Sequence, residues 1–166
     1  MVQVLDAVEK LEAYGVRAEI YSATSYGEMR REGLACDRYN RLHPTEEAKK
    51  PWVEQLLGKA TVPVIAVSDN MAAVPDMIRQ WVGGHFTVLG TDGFGRSDTR
   101  EALRRFFEID GAAVALAALS ALVRDGSIDA SVYADAQAAF GVSTEREDIT
   151  EPVSYTHLTL PTRAVV

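Results

Sequence analysis

The sequence predicts an α/β fold, in which helices alternate with the strands of one layered sheet. Residues 61–68 form a continuous apolar and largely β-branched run, which is typical of a parallel strand covered on both faces. A second apolar run, Phe86–Leu89, stops at a glycine-rich corner, and segments with helical spacing lie before, between and after the two runs. We therefore expect a mostly parallel sheet with the strand at 61–68 in its interior.

The beginning of the chain predicts a helix, a strand and a second helix. Apolar residues at three- and four-residue steps predict a helix over 4–11. Apolar and polar positions alternate over 16–23, which predicts a strand. Ser25 followed three residues later by Glu28 is a capping box, so we expect a short helix that begins there and ends at Gly33.

Prolines divide the next part of the chain. A helical turn is predicted over 36–42, because a proline two residues later stops it. Pro51 suits the first helical position, which predicts a helix that ends before Gly58. Beyond the strand at 61–68, apolar spacing predicts a longer helix over 71–82, with Pro75 tolerated in its first turn.

The segment 89–101, with the sequence LGTDGFGRSDTRE, is predicted to be a strand-to-helix corner. Its glycines permit a positive φ and a close backbone approach; they are Gly90, Gly93 and Gly95. Asp98 followed by Glu101 predicts a capping box for a helix over 99–108.

Two helices and a tail complete the chain. Residues 112–124 are rich in Ala and Leu and predict a helix, and Asp129 is expected to cap a last helix that ends before Gly141. From residue 151 the composition changes to a segment of low charge without helical period. We therefore expect one domain over 1–148 and a tail over 149–166 that is either disordered or a sequence scar.

Composition excludes several classes of protein. The chain has 166 residues, 47% of them hydrophobic, and a net charge of −7, which disfavours a nucleic-acid partner. A single cysteine, Cys36, cannot form an internal disulfide and fits a reducing compartment. The sequence shows no apolar run long enough to suggest a membrane span and no basic and apolar leader. We expect a cytoplasmic protein that has no membrane partner.

The corner is the best candidate for a binding site. In open α/β sheets, ligands gather at the carboxyl ends of parallel strands, where both the corner and Asp69 are expected to lie. The candidate residues for a small anion or an interface are Asp69, Gly93, Gly95, Arg96 and Ser97. The alternative is a purely architectural corner, since its spacing matches neither known phosphate-binding glycine motif.

Other candidates for chemistry are weak. His43 has the side chain of a general acid or base, but a histidine before a proline is more often a hydrogen-bonded loop residue. No His, Cys, Asp or Glu cluster has metal-ligand spacing, and no serine or cysteine has a nucleophile motif. We assign no catalytic, cofactor-binding or metal-binding residue. The aromatic residues interpreted as core residues are Trp52, Trp81, Phe106 and Phe107.

Several blocks of sequence carry a family resemblance. They are YSATSY at 21–26, CDRYNRLHP at 36–44, VIAVSD at 64–69 and FFEID at 106–110, together with the corner. In order and spacing these blocks resemble the carboxy-terminal domain of the homodimeric bacterial E1 type in the transketolase-like, thiamine-diphosphate-dependent family. The resemblance covers about residues 2–148.

The resemblance implies a three-layer α/β/α domain with a mixed, mostly parallel sheet, of which the first strands are lacking here. Exposed strand edges would then favour association. It also implies a parent enzyme that decarboxylates pyruvate and passes the acetyl group to a lipoyl domain of the E2 acyltransferase, with a homodimer partner. Thiamine diphosphate and magnesium would be bound by earlier domains, through a Gly-Asp-Gly motif that this chain lacks. By itself the chain is expected to be non-catalytic, and the alternative is a stand-alone regulatory or small-anion-binding α/β domain.

Overall fold

A computed structural model of the chain describes residues 1–145 and residue 149. The helices and strands in chain order are α1 (Val2–Glu12), α2 (Tyr26–Leu42), α3 (Trp52–Leu57), β1 (Val64–Val67), α4 (Ala73–Asp76), a 3₁₀ turn (Arg79–Trp81), β2 (Phe86–Leu89), α5 (Arg100–Phe106), α6 (Gly111–Arg124) and α7 (Ala130–Phe140). The predicted tail lies outside the described residues apart from Ile149, so its nature stays a prediction.

Two parallel strands form the middle layer of the domain. β1 and β2 pair in register from Val64 opposite Phe86 to Val67 opposite Leu89. Because side chains alternate across a strand, Val67 and Leu89 pack on one face of the sheet and Ala66 on the other. The expected three-layer α/β/α arrangement is confirmed, with two strands in the described part of the chain.

Each face of the sheet has its own hydrophobic cluster. On one face, α1, α6 and α7 bury Ala7, Leu11, Val114, Ala115, Leu116, Leu119 and Ala136. On the other face, the buried residues are Val53, Ala66, Ile78, Trp81 and Phe86. α6 packs against both α1 and α7, so helices from the beginning and the end of the described chain share one cluster.

The ends of the last two helices follow the sequence closely. Asp110 accepts a hydrogen bond from the Ala113 amide at the start of α6, at 2.9 Å, and Asp129 accepts one from Ser131 at the start of α7, at 2.8 Å. Gly141 ends α7 in the left-handed conformation, with a φ of 66°. These helices were predictable because each terminus carries its own capping residue.

The prediction of a strand over 16–23 is wrong. Residues 17–25 are exposed and form no strand or helix. A strand is stable only when its backbone groups pair with a neighbour, and no described strand lies beside this segment.

β1 is shorter and less enclosed than the run at 61–68 suggested. It pairs with β2 alone among the described strands, so it lies at an edge and not in the interior of the sheet. The amides of Val64 and Ser68 point to β2, where they donate to His85 and Leu89 at 2.8 Å and 3.0 Å. The backbone groups of Ile65 and Val67 therefore point away from β2, because successive groups of a strand alternate in direction.

One continuous helix, α2, replaces the two short helices predicted over 25–33 and 36–42. Ser25 caps it as expected and accepts a hydrogen bond from the Glu28 amide at 3.2 Å. Gly33 does not end it; the glycine is buried in the middle of α2, against the ring of Trp81. The residue was misinterpreted because a glycine that admits a neighbouring side chain looks the same in sequence as one that stops a helix.

The single helix predicted over 71–82 is also wrong. The structure has the four-residue helix α4 followed by the 3₁₀ turn, with Ile78 between them at a φ of −103° and a ψ of 0°, outside the α-helical region. Pro75 lies in the first turn of α4, as expected. Ile78 and Trp81 are both buried in spite of the break between the two elements, so the apolar spacing indicated the core face correctly.

By length and composition alone, the described segment Arg100–Arg124 is apolar enough to cross a membrane, so the expectation that no such segment exists is wrong. The structure divides this segment into α5 and α6. Glu108 lies between them with a positive φ of 56°. α6 buries six of its residues against the rest of the domain, so it is a core helix here.

Candidate functional site

The corner after β2 is joined to the loop after β1. Gly90 meets the backbone of Ala72, and the Asp92 carboxylate accepts hydrogen bonds from the Ala72 amide at 3.1 Å and 3.2 Å. The Thr91 hydroxyl donates to the backbone carbonyl of Asp69 at 3.1 Å. Both loops therefore lie at the carboxyl edge of the sheet, as the sequence predicted for Asp69 and the corner.

The three corner glycines serve different purposes. Gly90 permits the close approach to Ala72, since a Cβ there would overlap with the backbone. Gly93 has a φ of 108°, which an L-residue rarely adopts. Gly95 needs neither property, because its φ is ordinary and a Cβ would meet nothing within 4 Å. The structure thus uses the freedom that glycine permits at Gly90 and Gly93 and not at Gly95.

We expect Gly93→Ala to destabilise the protein by about 1–2 kcal/mol, since a Cβ strains a left-handed backbone. Gly95→Ala is the matched control in the same loop and should change stability by less than about 0.5 kcal/mol. Urea unfolding followed by circular dichroism measures both. Equal effects of the two substitutions would contradict the assigned backbone conformation at Gly93.

The helix after the corner begins one residue later than predicted. Thr99 is the N-cap, and its hydroxyl accepts a hydrogen bond from the Ala102 amide at 3.2 Å. Asp98 instead accepts from the Thr99 amide at 2.8 Å. The predicted Asp98–Glu101 capping box is wrong, because Thr99 was an equally good cap one position further on.

A cavity of about 590 Å³ opens beside the corner. Four of the predicted site residues line it, namely Asp69, Gly93, Gly95 and Arg96, whereas Ser97 does not. Arg100 and Arg104 also line it, together with Leu103, Phe107 and Ile109. These two arginines were not among the predicted site residues; their four-residue spacing, which places them on one helix face, was the missed signal.

Arg96 is held by its neighbours at the mouth of the cavity. Its guanidinium carbon lies 4.7 Å from the centre of the Phe106 ring, within the range of a cation–π contact. Its Nε is 3.8 Å from a carboxylate oxygen of Asp98, which is too long for a hydrogen bond. The guanidinium is therefore positioned mainly by the aromatic ring.

His43 has a structural explanation away from this cavity. It follows the last residue of α2, and its Nδ1 lies 2.9 Å from the Tyr39 carbonyl oxygen. The two rings stack with their centres 4.2 Å apart. These contacts make His43 a hydrogen-bonded residue at the end of α2, and its weak candidacy as a general acid or base stays a prediction.

The remaining candidates divide between core and surface. Trp81 is buried, and its indole N–H donates to Asp37 at 3.2 Å, whereas Trp52 is 54% exposed and does not fit the predicted core role. Cys36 is half-buried, and its thiol donates to Glu32 at 3.5 Å. Burial and the nearby Glu32 carboxylate raise the pKa of the Cys36 thiol, so it is not an activated nucleophile.

The fold and the corner agree with a known domain family. A family model described as the transketolase-like TK C-terminal domain matches residues 1–110, which run from α1 through α5. This chain belongs to that family. The three layers and the parallel β1–β2 pair are thus those of a transketolase-like C-terminal domain.

Related proteins extend the similarity beyond the family match. The transketolase-like domain is 48% identical over 136 residues to the pyruvate dehydrogenase E1 component of Pseudomonas aeruginosa, and 50% identical over 137 residues to that of Mycolicibacterium smegmatis. The Escherichia coli K12 protein of the same name is 43% identical over 134 residues. These matches cover 80–82% of this chain and 15% of each relative. The chain thus spans about one-seventh of the length of the relatives it matches.

Proposed function

We propose that this transketolase-like domain is part of a pyruvate dehydrogenase E1 component. The parent enzyme would carry out the thiamine-diphosphate-dependent oxidative decarboxylation of pyruvate and transfer the acetyl group to the lipoyl group of E2. The observation that carries the proposal is the identity of 41–50% to eight bacterial proteins that all bear this name, over at least 80% of the chain. Similarity of this extent goes beyond a shared fold.

In this proposal the domain supports the enzyme and does not perform the chemistry. Magnesium needs several oxygen ligands close together, and the part of the chain that the structure describes brings no three His, Cys, Asp or Glu side chains into such a group. The sequence also lacks the Gly-Asp-Gly motif that the resemblance leads us to expect for magnesium-bound thiamine diphosphate, so in this proposal we assign the described residues no step of the reaction. The cofactor would be held by other parts of the parent enzyme.

The proposal extends to partners and location. We place the domain in a homodimeric E1 component that delivers acetyl groups to an E2 acyltransferase in the bacterial cytoplasm. The named relatives support the E1 assignment, and the absence of a charge pattern suited to nucleic acid agrees with a metabolic complex.

We also propose that the domain extends past the family match to about residue 148. α6 and α7 follow the matched segment, yet they bury Leu119 and Ala136 completely in the cluster that contains α1. An α1 without these helices would expose Ala7 and Leu11. The two parts therefore form one core, as a domain requires.

A chimera tests the proposed function. The segment of the Mycolicibacterium smegmatis E1 component that aligns with this chain would be replaced by residues of this chain, and carbon dioxide release from pyruvate measured with thiamine diphosphate and magnesium. We expect the chimera to turn over pyruvate and the same E1 component lacking the segment to be inactive. A folded, dimeric chimera without turnover would refute the proposal, and so would pyruvate turnover by the isolated chain.

The alternative is a stand-alone regulatory or small-anion-binding domain. The arginine-lined cavity favours a binding role for one part of the surface. Sequence identity to E1 components across most of the chain favours the role in an E1 component. The cavity is compatible with either role.

A further inference from the structure

The cavity beside the corner concentrates positive charge in an acidic protein. Its ionisable lining residues are Arg96, Arg100, Arg104 and Asp69, three cations against one anion, whereas the chain carries a net charge of −7. The three guanidinium groups come from the corner and from one face of α5. Like charges grouped in this way repel one another unless an anion lies between them.

Two of these arginines have no anionic partner within residues 1–145 and 149. The structure gives the side chains of Arg100 and Arg104 no hydrogen bond and no ion pair there, although Arg104 is half-buried. Arg96 lies over the Phe106 ring and forms an ion pair with Asp98 at 3.8 Å, which is too long for a hydrogen bond. Among the described residues, all three guanidinium groups thus keep donors that an external anion can use.

The rest of the cavity indicates what the anion is attached to. Its lining includes the apolar residues Leu103, Phe107 and Ile109, and also Asp69 and Thr91. The Asp69 side chain has no hydrogen bond to a described residue and is half-buried. A carboxylate in the lining repels a second anionic group but accepts a hydrogen bond from a hydroxyl.

We propose that the cavity binds a small organic phosphate monoester. Its phosphate would bind Arg96, Arg100 and Arg104, and a hydroxyl on its carbon skeleton would donate to Asp69. A phosphate monoester is largely dianionic at neutral pH and presents three acceptor oxygens, which suits guanidinium donors. The cavity volume of about 590 Å³ accommodates such a ligand. The site goes beyond the proposed E1 function and does not depend on it.

Calorimetric titration of the full chain with glycerol 3-phosphate tests the site, and broadening of the ligand's ³¹P resonance reports the same binding if the chain associates. We expect saturable binding that weakens as salt is added. The double substitution Arg100→Gln and Arg104→Gln should weaken it at least about tenfold, or ~1.4 kcal/mol. The pair Arg38→Gln and Arg41→Gln, on α2 and outside the cavity lining, removes the same charge and should leave affinity unchanged.

Other ligands test the binding of the phosphate group and the binding of the hydroxyl group separately. Inorganic phosphate should bind more weakly than glycerol 3-phosphate, and Asp69→Asn should reduce that difference. Succinate that binds as tightly as glycerol 3-phosphate would overturn the phosphate assignment. Absence of binding by both methods, or binding that the α5 double variant leaves unchanged, would overturn the site. None of these readouts requires pyruvate turnover. The phosphate site can therefore be refuted while the E1 assignment stands, and the E1 assignment can be refuted while the phosphate site stands.

Discussion

Replacing Leu119 with alanine is expected to lower the free energy of unfolding by about 2–5 kcal/mol. Leu119 is completely buried in α6, in the cluster that joins this helix to α1 and α7. Truncation would leave a cavity at the centre of the layer, and neighbouring residues can fill only part of it. Urea unfolding followed by circular dichroism at a concentration where the chain is monodisperse measures the loss.

Leu34→Ala is the matched control for this change. Leu34 is also a helical leucine, but 41% of it is exposed, so the same truncation should cost less than about 1 kcal/mol. If the two variants lost equal stability, α6 would not pack against α1 as described. The helices after residue 110 would then not belong to the core of the domain.

Gly33→Ala is the second large expected effect. A Cβ at this position would lie 2.5 Å from Cζ2 of the Trp81 ring and almost as close to two further ring carbons. Trp81 is only 6% exposed and donates its indole N–H to Asp37, so the ring cannot withdraw without losing contacts. We expect a destabilisation of about 1–3 kcal/mol from overpacking, although alanine favours a helix.

Gly27→Ala in the same helix isolates the cause. Its Cβ would meet only the Ser25 hydroxyl, at 3.9 Å. Without a clash, alanine should stabilise α2 by up to about 1 kcal/mol through its higher helix propensity. Near-ultraviolet circular dichroism, which reports the surroundings of Trp81, should change in Gly33→Ala and not in Gly27→Ala. A stabilising Gly33→Ala would contradict the packing of Trp81 on α2.

The parts of the fold that the sequence predicted best are those with local signals. β2 occurs at Phe86–Leu89 as expected, and α7 runs between Asp129 and Gly141 as expected. The segment 16–23 has the right alternation for a strand, yet it forms none, because pairing depends on a neighbour that the alternation does not specify. Gly33 shows the same limit, since only the position of Trp81 explains it.

The candidate site was predictable in position but not in composition. Asp69 and the corner meet because parallel strands end at one edge, which the order of elements already implies. Arg100 and Arg104 share one face of α5 by their four-residue spacing. That this face is turned towards the corner depends on how α5 packs, which the spacing does not specify.

The edge of β1 that faces away from β2 carries regularly spaced backbone donors and acceptors. They are the N–H and C=O groups of Ile65 and Val67, which face no other described strand. A separate polypeptide that supplies a strand can add to this ladder without rearranging the layers on either side. Such an added strand would turn β1 from an edge strand into an interior one.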